Sequence, residues 1–495
     1  MRRVLTLIAL FLAFAPLASA ALTVVNGHAK GYEGRTLVFQ TYADPVSRLP
    51  VDLASVTVDG DGSFTLTADI NQVTRVSVDL SFYLAHIYLE PGARYEVSLP
   101  PFRLRPDAER FNPYYEPRQV SLIIHSATSP LNTALASLNK AFADIYYPSA
   151  VRLVRRHDKA LADKLIARLD SAVRAINCSL PFFRQQANFL RARIFATPRL
   201  NASRQVLARF YSGSPLALNV PAYWQTIDML APDVLKNSPY PDIRKSIGNI
   251  LEQSSPSVAE ISQILSRDTL FQRSQPLREA LIVKAITDAF FSNDISEGRA
   301  DSLLISAART LKTKSVRLMA ANVYAKKNRL RAGLPAPDFS LTDNKGNEVK
   351  LSDFRGRFLY LCFMHSKNYE CIKAMPALDN LAQVHRENLD VLCVFTDEQP
   401  AELFKLVSRN GYYWKPVSYI SNQRIMLDYQ VAALPTFFLI APDGCVAIPQ
   451  APGPAENVSP AIAEAIRQFI ISTRRGRPEI PRTIYDIANE ARPIE

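Results

Sequence analysis

The spacing of apolar residues changes twice along this chain of 495 residues, and these changes restrict the folds that the chain can adopt. Residues 21–115 contain short segments that often alternate apolar and polar positions, whereas residues 116–331 carry apolar residues three and four positions apart. After residue 332, apolar strand-like runs alternate with helical segments. The pattern predicts a multidomain protein with an N-terminal all-β sandwich-like domain, an α-helical middle domain and a C-terminal α/β domain.

Seven short β-rich segments lie between residues 22 and 99. Two of them are separated by the turn Asp59-Gly60-Asp61-Gly62, whose Asp and Gly residues tolerate positive φ angles. A run of seven short strands is typical of a small sandwich or an open barrel. We therefore expect a β-rich N-terminal domain over residues 21–115.

Helical periodicity extends from about residue 126 to residue 331, in segments that include residues 131–146, 150–176 and 297–327. Proline-containing breaks at Ser214-Pro215 and at residues 238–241 divide these segments. The helices form either a platform that binds a partner or a domain that only packs on itself and its neighbours. The residues leave both interpretations open.

The first 20 residues have the three parts of a secretory signal: basic Arg2-Arg3, an apolar stretch over residues 4–17, and small residues at 18–20. We expect an exported protein, periplasmic or associated with the cell envelope, whose mature chain begins near Ala21. No later segment has the roughly 18 to 20 apolar residues that a membrane span needs. The formal charge of +12 comes without a nucleic-acid-binding motif, so nucleic acid is not an expected partner.

Five cysteines follow the predicted leader: Cys178, Cys362, Cys371, Cys393 and Cys445. Their odd number and the lack of a C-x-x-C pair are not typical of a fold held together by disulfides. The six histidines are scattered without the spacing of metal ligands. The sequence therefore predicts neither a metal site nor a cofactor.

Residues 363–376 resemble, without a gap, the active-site pattern F-W-A-x-W-C-x-x-C-x-x-x-M-P of secreted thioredoxin-like oxidoreductases. Cys371 lies at the second cysteine of this pattern, and Asn368 lies at the first. The resemblance therefore implies an active site of the thioredoxin type that lacks its attacking cysteine.

Three further segments, residues 333–339, 351–357 and 431–440, are similar to the TlpA/ResA and AhpC/TSA (alkyl hydroperoxide reductase and thiol-specific antioxidant) group in order and spacing. This resemblance implies a thioredoxin fold over residues 332–473, followed by a basic tail over residues 474–495. The β-rich segment in turn resembles the domain that precedes thioredoxin-like domains in exported proteins of the Bacteroidetes.

Thioredoxin chemistry requires a thiolate at the N-terminus of a helix, where the helix dipole lowers the pKa of the thiol. Asn368 is a good N-cap residue, but its amide cannot attack sulfur. Cys371 has the position of the recessed, resolving cysteine, so it is either a monothiol site or a small buried residue. A peroxidase pocket is not expected, because Met364 and Asn368 stand where the Pro and Thr of that pocket are required.

Four more positions complete the candidate site. Cys362 lies on the strand before the motif and is a candidate partner of Cys371 in an atypical disulfide, which requires Cα atoms within about 7 Å. Pro435 resembles the cis-proline that faces the motif in thioredoxin folds, where the preceding backbone, here that of Leu434, pairs with substrate. Together with Tyr369, these residues predict a groove that holds an extended peptide.

The sequence favours an exported thioredoxin-like protein that has lost dithiol–disulfide exchange and serves as a protein- or peptide-binding module, or as a scaffold, in the cell envelope. The expected partner is then a protein or peptide of the envelope. The alternative is an atypical thiol-disulfide oxidoreductase that uses Cys371 alone or together with Cys362. Replacing Cys371 by Ser separates the two hypotheses, because only the second requires the thiol.

Overall fold

The computed structural model of this chain describes residues 22–105, 109, 115–397, 400–422, 424–456 and 458–474. The predicted leader over residues 1–20 lies outside the described residues, as does the predicted tail from residue 475 onward. In the part that is described, β-sheets come first, then a helical region, then a mixed α/β region. None of the described helices has the length and apolar character needed to cross a membrane.

Two sheets form the N-terminal region, and their inner faces share one apolar core that includes Phe39, Phe64 and Tyr95. Successive side chains of a strand point to opposite faces of the sheet, so in the strand Ser63–Ala68 every second residue is buried in this core. The sheet orders are β4-β1-β7-β9 and β3-β2-β5-β6-β8. The strands are β1 (Thr23–His28), β2 (Thr36–Tyr42), β3 (Pro50–Thr57), β4 (Ser63–Ala68), β5 (Thr74–Asp79), β6 (Tyr83–Leu89), β7 (Arg94–Ser98), β8 (Arg118–Ser121) and β9 (Ile123–Ala127).

The β-sheets extend to Ala127, beyond the domain boundary that we expected at residue 115. The seven expected segments correspond to β1–β7, while β8 pairs in parallel with β6 and β9 pairs antiparallel with β7. Sequence patterns do not reveal these two strands, because both are short and mostly exposed at sheet edges. The helical region therefore begins at Leu131.

Within residues 128–331, all of which the structure describes, ten α-helices follow, and their apolar faces pack into one extended core. In the second helix, for example, Ala162, Leu165 and Leu169 are buried, at spacings of three and four residues. The helices are α1 (Leu131–Arg156), α2 (Lys159–Ile176), α3 (Pro181–Ala196), α4 (Ser203–Phe210), α5 (Pro221–Leu230), α6 (Pro241–Leu251), α7 (Val258–Leu265), α8 (Gln275–Phe291), α9 (Glu297–Thr310) and α10 (Lys314–Asn328).

Two helices that we expected to be continuous are each interrupted. The expected helix over residues 150–176 is divided at His157, which has a left-handed φ of 48°, and Asp158 then caps α2 by accepting from the Leu161 amide at 2.9 Å. The expected helix over residues 297–327 is divided after α9. There the buried Glu279 carboxylate accepts from the amide of Thr313 at 2.9 Å, just before α10. Because Glu279 is distant from Thr313 in sequence, the spacing of apolar residues did not indicate this break between α9 and α10.

The C-terminal region is a seven-stranded sheet with helices on both faces, as in a thioredoxin-like fold. Its strand order is β11-β10-β14-β13-β12-β15-β16. The strands are β10 (Ser340–Asp343), β11 (Glu348–Lys350), β12 (Phe358–Met364), β13 (Leu389–Phe395), β14 (Lys415–Ser418), β15 (Thr436–Ile440) and β16 (Val446–Ile448). The helices are α11 (Tyr369–Val384), α12 (Pro400–Asn410), α13 (Ile425–Asp428) and α14 (Val458–Arg474).

Strand β12 is buried along its whole length, because both faces of the sheet are covered. Phe358, Tyr360, Cys362 and Met364 point to the face that carries α11, and the residues between them point to the face that carries α13. The strand runs parallel to β13 and antiparallel to β15. This arrangement places the start of α11 beside the chain segment that enters β15.

The loop between β2 and β3, residues 43–49, packs against the helical region. Asp44 is buried and accepts a hydrogen bond from the Asn322 side-chain amide of α10 at 2.9 Å. The ammonium of Lys326, one turn further along α10, donates to the carbonyl oxygen of Ser47 at 2.7 Å. The N-terminal sheets are thus fixed to the end of the helical region that leads into the C-terminal domain.

Four charged residues connect all three regions, and we refer to them as the domain clamp: Asp52, Arg424, Asp428 and Arg329. The Arg424 guanidinium pairs with Asp52 of β3 and, at 3.1 Å, with Asp428 of α13. Asp428 also accepts from Arg329, which directly follows α10, at 2.5 Å. The clamp therefore holds α13, whose chain continues into the loop before β15.

Candidate functional site

The candidate site lies where the loop before α11 meets the loop before β15. The Leu434–Pro435 peptide bond is cis, which confirms what the resemblance implied. Phe363 of β12 is paired with Thr436 of β15, so the residues that follow β12 lie next to those that precede β15. Antiparallel pairing thus brings Asn368 and Leu434 together although 66 positions separate them.

Asn368 caps α11 and also bonds to the cis-proline loop. Its side-chain oxygen accepts from the amides of Glu370 at 3.0 Å and Cys371 at 3.3 Å. Its side-chain nitrogen donates to the carbonyl oxygen of Leu434 at 3.2 Å. The cap was expected from the residue type, whereas the bond to Leu434 was not. One amide therefore uses both its acceptor and its donor to join the two loops, and we call this pair of interactions the Asn368 bridge.

Cys371 has a fully buried side chain in the first turn of α11. Burial raises the pKa of the Cys371 thiol to about 11, and the nearby carboxylates of Asp397 and Glu370 act in the same direction. A hydrogen bond from the backbone amide of His365 lowers this pKa, but by less than burial raises it. At neutral pH the thiol is therefore protonated and shielded from solvent, which is the reverse of what a nucleophilic cysteine requires.

Cys362 pairs with a different cysteine from the one we considered. The parallel register of β12 and β13 places Cys393 directly opposite Cys362, and the Cys362 thiol donates to the carbonyl oxygen of Tyr360 at 3.8 Å. Burial raises the pKa of the Cys362 thiol well above its ordinary value. Cys362, Cys371 and Cys393 are all buried free thiols, so the structure contains no Cys362–Cys371 disulfide.

A polar cluster next to Cys371 was not expected from the sequence. The buried carboxylate of Asp397 accepts from both the amide and the hydroxyl of Ser366, with the amide at 3.0 Å. The Nδ1 atom of buried His365 lies 3.6 Å from the same carboxylate and accepts from the amide of Lys367 at 3.1 Å. The cluster therefore fixes the loop that leads to Asn368. Its only signal in the sequence is that Asp397 follows β13, whose carboxyl end lies beside that of β12.

An apolar surface borders the Asn368 bridge. Tyr369 and Ile372, on the outer face of the first turn of α11, are 72% and 48% exposed. Ala432 and Ala433 of the cis-proline loop are exposed, and Leu434 and Pro435 are half-buried. We call Tyr369, Ile372 and residues 432–435 the apolar rim. Among the described residues, no group of three or more His, Cys, Asp or Glu side chains could hold a metal ion.

Comparisons with known proteins concern the C-terminal region. The sequence profile of the AhpC/TSA family matches residues 332–448. The thiol-disulfide oxidoreductase ResA of Geobacillus kaustophilus (strain HTA426) is 32% identical over 124 residues, which are 25% of this chain and 71% of that protein. ResA of Geobacillus thermodenitrificans (strain NG80-2) is 31% identical over 127 residues, 26% of this chain and 72% of that protein.

A solved structure, the thioredoxin domain of a thiol-disulfide oxidoreductase from Bacteroides vulgatus, is also similar. It is 22% identical in sequence, and the superposition covers 28% of this chain and 99% of that one, with a TM-score of 0.25.

Proposed function

Because the chain belongs, through its C-terminal domain, to the thioredoxin-like TlpA/ResA group of the AhpC/TSA family, we propose that it is an exported member that no longer performs dithiol–disulfide exchange. In this proposal the protein binds a protein or peptide partner in the cell envelope. The observation that carries the proposal is the Asn368 bridge, because an amide that caps α11 and bonds to Leu434 occupies the place of the attacking thiol.

Exchange requires a thiolate that can reach a disulfide of another molecule. Asn368 has no sulfur, and Cys371 is buried with a pKa raised to about 11. Without an accessible first nucleophile, no mixed disulfide forms and the resolving step has no substrate. The residues of the site therefore support a binding role better than a catalytic one.

The apolar rim supports partner binding at this end of the sheet. Tyr369 and Ile372 present a large exposed apolar area on a helix whose first turn is held in place by the Asn368 bridge. Aromatic side chains on rigid elements lose little entropy on binding and are enriched in protein interfaces. The rim would contact a partner through its exposed side chains, above all Tyr369 and Ile372.

One observation favours a second candidate function. Cys371 and Cys362 both remain in the core beneath the site, together with Cys393. An atypical oxidoreductase that uses Cys371 alone, or with Cys362, would require local opening of α11 to expose the thiol. The alternative requires the thiol of Cys371 for its activity, whereas partner binding at the apolar rim does not require a cysteine.

The decisive experiment is an insulin-disulfide reduction assay with dithiothreitol as the reductant, on the parent protein and its Cys371→Ser and Asn368→Cys variants. We expect the parent and Cys371→Ser to match the rate without protein. We expect Asn368→Cys to accelerate the reaction, because it restores a thiol at the capped N-terminus of α11. Parent activity that Cys371→Ser abolishes would instead establish the atypical oxidoreductase.

A second experiment tests the binding role. A photo-crosslinking residue is placed at Tyr369, and in a matched control at Tyr147, an exposed tyrosine of α1. In producing cells we expect a discrete crosslinked product from position 369 alone, unchanged when Cys371→Ser is added. Crosslinking that is equal at both positions, or absent at position 369, would argue against a partner at the apolar rim.

A further inference from the structure

We propose that the helical region contains a binding site for a small organic carboxylate, remote in sequence from the Asn368 bridge and independent of the function proposed above. The site is a pocket of about 190 Å³ between the first turns of α3 and the loop that follows α4. Its walls are formed by Arg184, Gln185, Asn188, Phe189, Ser214 and Pro215.

Three polar side chains of α3 line this pocket: Arg184, Gln185 and Asn188. Arg184 and Asn188 are four residues apart, and Gln185 and Asn188 are three apart, so all three lie on neighbouring positions of the helix surface. Within the described part of the chain, no hydrogen bond or ion pair engages any of these side chains. Each therefore has its donors available for a ligand, and Arg184 adds a permanent positive charge.

The pocket is completed by the apolar side chain of Phe189, which also belongs to α3, and by the loop that follows α4. The buried ring of Phe189 contacts the rings of Tyr211 and Tyr223, with centroids 4.9 Å and 4.6 Å away. The loop beside it is fixed by Ser214, whose amide donates to the Tyr211 carbonyl at 3.0 Å and whose hydroxyl donates to the Phe210 carbonyl at 2.8 Å. The pocket is therefore formed before a ligand arrives, which lowers the entropic cost of binding.

Charge and size select the class of ligand. The first turn of α3 contains no acidic residue, so no carboxylate of that turn offsets the charge of Arg184. A guanidinium together with side-chain amides suits a planar carboxylate. A cavity of about 150 Å³ holds a benzene ring, so this pocket has room for one ring or a branched aliphatic group. The ligand class is thus a monocarboxylate with an apolar body.

Such a carboxylate has two sources, a free acid or the C-terminal residue of a peptide. Isothermal titration of the whole protein with benzoate and with acetyl-Ala-Ala-Phe distinguishes them, and the amide of the same peptide serves as the uncharged control. We expect saturable 1:1 binding of at least one carboxylate, and binding of the amide at least about tenfold weaker than that of the free peptide. Binding of benzoate alone assigns the site to free acids, and binding of the peptide alone assigns it to C-termini.

Two variants locate the site. Arg184→Gln removes the charge and is expected to weaken carboxylate binding about tenfold or more, whereas Arg168→Gln, the same change at an exposed position of α2, leaves it unchanged. Asn188→Asp places a negative charge in the pocket and should also weaken binding, with folding of each variant checked by circular dichroism. The proposal would be overturned if neither carboxylate bound saturably, if the amide bound as tightly as the free peptide, or if Arg184→Gln and Asn188→Asp bound with the affinity of the parent protein.

Discussion

The side-chain amide of Asn368 donates a hydrogen bond to the carbonyl oxygen of Leu434, 3.2 Å away and directly before the cis-proline. A strand-like peptide that paired with Leu434 at this oxygen would have to share the acceptor with Asn368. Asn368 carries no sulfur, and the backbone oxygen next to it already accepts one hydrogen bond.

Replacing Asn368 by Ala should remove the cap of α11. The amides of Glu370 and Cys371 lose their acceptor, and a lost N-cap costs about 1 kcal/mol, so their hydrogen exchange should accelerate about fivefold. Asn368→Asp is the matched control: it keeps an acceptor for these amides but loses the donor to Leu434. In that variant the faster exchange should be confined to the amides of residues 431–434. Unchanged exchange at residues 370 and 371 in Asn368→Ala would show that the side chain does not cap the helix.

Cys371 should resist alkylation in the native protein. With a pKa of about 11, on the order of one thiol in ten thousand is ionised at pH 7, and the side chain is buried. Mass mapping after treatment with iodoacetamide should find Cys371 unlabelled in the native protein and fully labelled after denaturation in urea. Rapid native labelling at pH 7 would contradict the structure of this site.

The raised pKa of the Cys371 thiol also predicts how the stability of the fold depends on pH. The folded-state pKa of Cys371 lies above the ordinary value of 9.0, so the folded protein holds the proton more tightly than the unfolded chain. This contribution to stability is fully present below pH 9 and is lost as the pH rises from about 9 to about 11. The Cys371→Ser variant should lack this part of the alkaline loss, which chemical denaturation at several pH values measures.

Whether an interaction of the site could be predicted from the sequence depends on how far apart its residues are along the chain. The cap by Asn368 is a local rule of helix termini, and it could be read from the residue type. The bond from Asn368 to Leu434 depends on the pairing of β12 with β15, which local patterns do not specify. The Asp397 cluster depends in the same way on the placement of β13 beside β12.

The cysteines illustrate the same limit. Period-2 alternation indicates which side chains of β12 share a face, so Cys362 could be expected to point towards α11. The residue opposite it on the next strand is set by register, and the register selects Cys393. Short edge strands such as β8 and β9 were missed because their exposed residues lack the apolar pattern that marks a buried strand.

Removing Arg424 should loosen the domain clamp. Arg424→Ala leaves Asp428 and Asp52 without this counter-ion and should lower the free energy of unfolding by about 1–3 kcal/mol, since hydrogen bonds to charged groups contribute about that much. Arg467→Ala, which breaks an exposed pair with Glu464 on α14, should cost less than about 1 kcal/mol. Urea denaturation followed by circular dichroism compares the two, and equal effects would contradict a structural role for the clamp.

Two buried tyrosines that touch each other offer a matched test of hydrogen bonding in the helical region. The Tyr211 hydroxyl donates to the carbonyl of Tyr223 at 2.8 Å, whereas the buried Tyr223 hydroxyl has no hydrogen-bond partner within the described ranges. Tyr211→Phe should therefore lower the free energy of unfolding by about 1 kcal/mol. Tyr223→Phe should leave it unchanged or raise it, and a loss as large as that of Tyr211→Phe would show that this hydroxyl is bonded after all.

The domain clamp also has a consequence for protein engineering. Two of its members, Arg424 and Asp428, belong to the C-terminal domain, while Asp52 and Arg329 belong to the preceding regions. A chimera that replaced residues 332–474 would remove Arg424 and Asp428, so Asp52 and Arg329 would keep these counter-ions only if the two residues were retained at the same places. Exchange of the C-terminal domain therefore has to preserve these two charged positions if the ion pairs between the regions are to form.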